Sequence, residues 1–252
     1  MDVGLALGLF ILALGVGIYG TIIGAGGGFV MVAGLVLIFD LSGAEAVGTS
    51  VITTLFIQLT GAITYDRAGM IDRPTVRWFA TGSIPVAFLS AALLANRIPE
   101  RLFGLLIGAL LLSLAVFVVV RPGPQDTTGA PLGPRKPQLV GLGSTIGVLS
   151  GAFGVGAGLL TVPAIRSLQK LSTHRAAATT TAIGAASSFA AALGHILAKN
   201  PRWSFAPFVI AGAIIGGRIG SNSAGKLSQR TVGVLLAGGL FAAGAPLLFR
   251  AI

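Results

Sequence analysis

Two glycine clusters are the places in this sequence where bare backbone could do chemistry. The first reads Gly24-Ala-Gly26-Gly27-Gly28 and the second Gly154-Val-Gly156-Ala-Gly158. Both sit inside apolar segments. A glycine in a helix interior costs about 1 kcal/mol relative to alanine, so three or more in five residues predict a break. Short helices should restart near Phe29 and Leu159. The first N–H groups of such helices have no intrahelical partner, and glycine lets a ligand approach them. That combination is a ready anion site. The competing reading is close helix packing, because Gly20/Gly24, Gly24/Gly28 and Gly154/Gly158 also have the spacing that lets two membrane helices touch. Neither cluster completes a nucleotide-binding loop.

Polar side chains stand beside these clusters. Ser50, Thr54 and Gln58 are spaced by four and share one helix face. Thr49 adjoins them, and Thr161 follows the second cluster. Hydroxyls could bond back to their own helix and only join helices. Gln58 leans toward function, since an amide at depth is costly without a partner. Asp40, Glu45, Asp66, Asp72 and Glu100 all fall in gaps between apolar segments, which argues against a buried carboxylate relay. His195 lies near the end of an apolar segment and reads as an interfacial hydrogen-bonder. Arg218 is the one charge well inside such a segment and could snorkel toward Lys226 or attract an anion. There is no cysteine, nucleophile–base pair or metal-ligand cluster, so neither enzyme chemistry nor a cofactor is expected.

The elements that must hold these groups are membrane helices. Hydrophobic residues make up 54% of the chain and charged residues 10%, with mean hydropathy +0.92. A soluble surface needs roughly 25% charged residues. Eight apolar blocks span 3–39, 46–65, 76–95, 102–120, 138–165, 176–198, 204–224 and 232–249. Crossing a bilayer takes about 20 residues, so six blocks fit one crossing. The two blocks carrying the glycine clusters are too long for one. The N-terminal block has no basic leader and reads as a retained membrane segment. The polar, Pro/Gly-rich stretch beginning at Arg121 reads as a linker. The expected organisation is a first membrane repeat over 1–120, a cytoplasmic linker over 121–137 and a second repeat over 138–252.

The halves align at an offset of 130 without a gap. Gly17, Gly24, Gly26, Gly28, Ser42, Thr49 and Gly82 match Gly147, Gly154, Gly156, Gly158, Ser172, Thr179 and Gly212. The same offset relates the polar stripe to Thr179, Thr180 and Ser188. Secondary transporters are commonly built from two such repeats, with the substrate between them. Charge sets their orientation. If each long block returns to the side it started from, one side holds twelve Lys and Arg and the other only Arg97, Arg101, Lys199, Arg202 and Arg250. That asymmetry places both termini outside and the linker in the cytoplasm. It also makes the repeats inverted. The net charge of +10 is therefore topogenic and does not point to nucleic acid. The fold expected is an all-α polytopic membrane protein of two inverted repeats, with about eight full spans plus glycine-broken short helices.

The motifs resemble a known family. Gly20-Thr-Ile-Ile-Gly-Ala-Gly-Gly-Gly28, Ala46-Val-Gly-Thr-Ser50 and Gly61-Ala-Ile-Thr-Tyr65 through Asp72 are similar to the first repeat of the TauE/SafE sulfite exporters. Leu149 through Pro163 and His174-Arg-Ala-Ala-Ala-Thr-Thr180 resemble its second. Ala157 departs from the usual glycine there, and Thr180 from the usual serine. The resemblance implies a multi-pass plasma-membrane transporter of sulfur-containing anions such as sulfite or organosulfonates. Its partners would be a small anionic substrate and the lipid bilayer. A passive channel or a scaffold whose glycines only pack helices is the alternative.

Overall fold

The computed structural model describes residues 2–120, 135–156, 158–223 and 229–252. Among them are ten helices: α1 Val3–Ile22, α2 Gly28–Leu37, α3 Gly43–Arg67, α4 Arg73–Leu94, α5 Glu100–Val120, α6 Lys136–Phe153, α7 Gly158–Gln169, α8 Thr173–Leu197, α9 Ala206–Ser223 and α10 Gln229–Ala251. Six of them, α1, α3, α4, α5, α8 and α10, are long and apolar enough to cross a membrane. Of the expected linker, residues 121–134 lie outside the described residues, as does Lys226; α6 already begins at Lys136.

The two long apolar blocks are each divided at their glycine cluster. Gly24, Gly26, Gly27, Gly154 and Gly156 all have φ between +63° and +81°. A residue with a Cβ would lose about 1–2 kcal/mol in that conformation, so glycine is what permits the break. The chain then doubles back. Phe39, beyond the end of α2, comes level with Gly8 near the start of α1.

Local detail repeats at the same offset. Ser42 and Ser172 cap α3 and α8 with identical backbone angles, φ −60° and ψ 156°, and each side chain accepts from the N–H three residues on. Asp40 and Lys170 both have φ +51°. Packing is reciprocal as well: α1 packs on α9, its counterpart α6 packs on α4, and α3 and α8 pack on each other, as do α5 and α10. Along α3, Gly61 meets Thr181 and Gln58 meets Gly184 of α8, while Gly48 and Glu45 meet Asn200 and Arg202 just beyond its end, so the two helices run antiparallel.

Small residues set how close the helices come. Gly143, Gly147 and Gly151 of α6 lie against the carbonyls of Phe79, Ser83 and Ala87, while Gly212, Gly216 and Gly220 of α9 lie against those of Phe10, Leu14 and Ile18. Most glycines of the chain serve this packing. The exterior is apolar, with Leu7, Ile11, Val116 and Phe241 exposed, whereas Thr53, Thr54, Gln58, Thr180 and Ser187 are buried. That inverts the pattern of a soluble protein and suits a lipid solvent.

The inter-element contacts gather the connections at two ends. At one end Gly43 N–H donates to Glu100, Arg202 pairs with Glu45, Arg101 donates to Ala251 O, and Arg250 pairs with Asp40. At the other end Asp72 N–H donates to Thr179 Oγ1, Arg73 pairs with Asp66, and Lys136 lies over the Trp78 ring.

Candidate substrate site at the glycine crossing

The two glycine loops meet at the centre. A methyl group on Gly28 would run into Gly154 O, one on Gly158 into Gly24 O, and one on Gly156 would lie 2.7 Å from Ala25 O. The first two of these contacts exchange under the 130-residue offset. Glycine is required here because no side chain fits between the loops. The N-termini of α2 and α7 thus open toward the opposite loop, and the backbone bonds of α2 begin with Val30 N–H and Met31 N–H, both donating to Gly27 O.

The face of α3 expected to bear polar groups does reach this crossing. Ser50 Oγ donates to Gly28 O at 3.0 Å. Thr54 Oγ1 would be 3.1 Å from a methyl on Gly28. Gln58 is wedged between both halves. A methyl on Gly26 would be 2.5 Å from its Nε2, and one on Gly184 would overlap its Oε1. Thr54 Oγ1, both amide atoms of Gln58 and Thr180 Oγ1 are buried without a hydrogen-bond partner. Each such group costs about 1–3 kcal/mol relative to a satisfied one.

The other candidates divide. Thr49 Oγ1 accepts from Arg202 N–H and Thr179 Oγ1 from Asp72 N–H, each at 3.0 Å. These equivalent threonines pin the loops before α9 and α4, at opposite ends of the bundle. Thr161 and Ser188 are buried on α7 and α8. Thr53, Thr60 and Thr64 bond back to the carbonyl four residues before them, and Thr64 Oγ1 also accepts from Ser221 Oγ of α9. Arg218 is exposed on α9.

His195 is buried. Nε2 lies 2.8 Å from Gly151 O and Nδ1 3.0 Å from Asn200 Nδ2. A carbonyl only accepts, so Nε2 carries the proton and Nδ1 accepts from the amide. Both ring nitrogens are thus occupied, Nε2 in tying α8 to α6 and Nδ1 in holding Asn200 in the connection that follows α8. Gly184, the second wall of Gln58, was not anticipated. Its signal was present, because it stands at the repeat position of Thr54, where a side chain would collide with Gln58.

The model of the sulfite exporter TauE/SafE family matches residues 9–247. The chain belongs to that family. Among its relatives, a probable membrane transporter of Bacillus subtilis, YunE, is 27% identical over 97% of each chain. A probable membrane transporter of Methanocaldococcus jannaschii is 27% identical over 76% of this chain and 73% of its own length. The probable membrane transporter MamO of Paramagnetospirillum magneticum is 23% identical over 85% of this chain and 40% of its own. No solved structure matches. This TauE/SafE protein is therefore a multi-pass membrane transporter, and the buried, unpartnered polar groups at its centre are the natural place to look for its cargo.

Proposed function

We propose that this TauE/SafE protein is a secondary transporter of the plasma membrane that moves small sulfur-containing anions, sulfite or organosulfonates, through a site between two inverted repeats. The observation that carries the reading is the set of unpartnered groups at the glycine crossing, Thr54 Oγ1 and the Gln58 amide, together with the unpartnered Thr180 Oγ1 at the repeat position of Ser50. An anion there would accept from both hydroxyls, from the Gln58 Nε2 and from the first amides of α2 and α7. Several neutral donors hold a charge less tightly than a bidentate arginine, which suits a carrier that must also release.

The inverted arrangement is supported by the antiparallel α3–α8 pair, since equivalent helices that run in opposite directions are related by an axis in the membrane plane. It is supported again by the twelve-to-five division of Lys and Arg. In this arrangement α1, α3, α4, α5 and their equivalents α6, α8, α9, α10 are eight crossings, and α2 and α7 are returning half-helices.

The test is counterflow into proteoliposomes with labelled sulfite, small sulfonates and small carboxylates. Gln58→Leu is expected to abolish sulfur-anion counterflow while folded protein persists in the membrane. Unchanged flux in that variant would refute the central site, and flux without counterflow would favour a passive channel.

A further inference from the structure

A cavity of about 480 Å³ opens at the Asp72 end, its lining including Ala62, Asp66, Arg67, Arg73, Arg77 and Ala182. Arg73 is tied to Asp66 at 3.1 Å. The guanidinium groups of Arg67 and Arg77 make no ion pair or hydrogen bond among the described residues, and both residues are exposed. A larger cavity of about 690 Å³ at the other end also carries charge, but there Asp40, Glu100, Arg101 and Arg250 are all engaged. The fold does not demand the free pair. At the repeat positions of Asp66, Arg67, Arg73 and Arg77 stand Ile196, Leu197, Trp203 and Pro207, and Leu197 and Trp203 lie exposed.

The cavity also adjoins the centre. Ala62 is one helical turn, about 6 Å, beyond Gln58 on α3. Ala182 precedes by two residues the Gly184 that walls Gln58. We propose that this cavity is a collecting site for small oxyanions, in which Arg67 and Arg77 hold sulfonate- or sulfite-like groups at the mouth and the inner wall at Ala62 lies one turn short of Gln58. As a role in transport it rests on the central-site reading. As an anion site it stands alone. Two uncommitted guanidiniums at the cavity mouth raise the local concentration of anions and repel cations.

The chain has no cysteine, so the site can be probed chemically. Ala62→Cys is reconstituted in phosphatidylcholine nanodiscs and labelled with 2-sulfonatoethyl methanethiosulfonate or its trimethylammonium analogue, each rate normalised to a free thiol. The sulfonate reagent is expected to react about tenfold faster or more. In Arg67→Gln/Arg77→Gln the two rates should converge, and methanesulfonate should slow labelling only where the arginines are present. An unchanged preference in the double variant would overturn the proposal. Should that variant not fold, Ala182→Cys with both arginines intact is labelled at rising salt, and a preference that does not decline overturns the proposal equally. If phosphatidylglycerol alone removes the sulfonate reagent's advantage, the occupant is a lipid headgroup and a collecting role is excluded. Gln58→Leu should leave the labelling preference intact, so failure of the central site and failure of this one are told apart.

Discussion

At the scale of single residues, Gln58 is held by absences. Gly26 and Gly184 lack the Cβ atoms that would collide with its amide. Gly26→Ala is expected to lose transport for two separate reasons. Its φ of +73° costs an alanine about 1–2 kcal/mol, and the new methyl displaces Nε2. Gly184→Ala has only the second defect, so it should fold well and still lose transport. Gly15→Ala, with open space around it, should leave counterflow unchanged. Normal flux in Gly184→Ala would show that the amide need not be placed. Gln58 itself was legible in the sequence, because an amide deep in an apolar segment needs a partner. The share taken by Thr49 and Thr179 was not. A hydroxyl at such a position serves a ligand or a loop amide equally well, and only the fold brings Arg202 and Asp72 to them.

At the scale of elements, the starts of α3 and α8 carry opposite charge at equivalent positions. Glu45 corresponds to Arg175, and Arg202 to Asp72. In one half the pair is closed, Arg202 Nη1 to Glu45 Oε1 at 2.9 Å. In the other, Arg175 makes no ion pair among the described residues, although Asp72 N–H still reaches Thr179. Opening the Glu45 end requires breaking its pair. The partners are 53% and 33% exposed, so the interaction contributes at most about 1 kcal/mol. That is small for stability yet roughly fivefold in a population. Glu45→Gln should therefore leave the Tm nearly unchanged and raise thiol labelling at Ile52→Cys, the repeat position of Ala182, a few-fold. Exchanging the charges, Glu45→Arg with Arg202→Glu, should restore the slow rate. Unaltered labelling in Glu45→Gln would mean the pair does not restrain that end. Helix breaks at the glycine clusters were readable from composition alone, whereas which end is latched depends on rotamers that no spacing encodes.

At the scale of the whole molecule, the arrangement of crossings follows from where the connections gather. The α1–α2 hairpin returns the chain toward the level at which it entered, bringing Phe39 to Gly8, and the same return is proposed for its repeat equivalent α6–α7. Without that return, Lys and Arg divide nearly evenly between the sides. With it, the sequence assigns twelve to the side expected to carry Asp72 and five to the side expected to carry Glu45. Packing groups the connections in the same way: Asp40, Glu45, Glu100, Arg202 and Arg250 meet at one end, and Asp66, Asp72, Trp78, Lys136 and Thr179 at the other. Translocating a segment rich in Lys and Arg is opposed during insertion, so the Asp72 end should face the cytoplasm. Two single-cysteine variants test this. Asp2→Cys lies on the expected outer side at the start of α1, and Arg135→Cys precedes α6 on the expected inner side. A membrane-impermeant maleimide should label Asp2→Cys in intact cells and reach Arg135→Cys only after permeabilisation. The reverse pattern would place the basic end outside. Labelling of both from one side of a sealed membrane would mean that the first half crosses an even number of times. In that case equivalent helices would run parallel across the bilayer, at odds with the antiparallel α3–α8 pair, and the inverted-repeat reading would have to be abandoned along with the basic cytoplasmic mouth built on it.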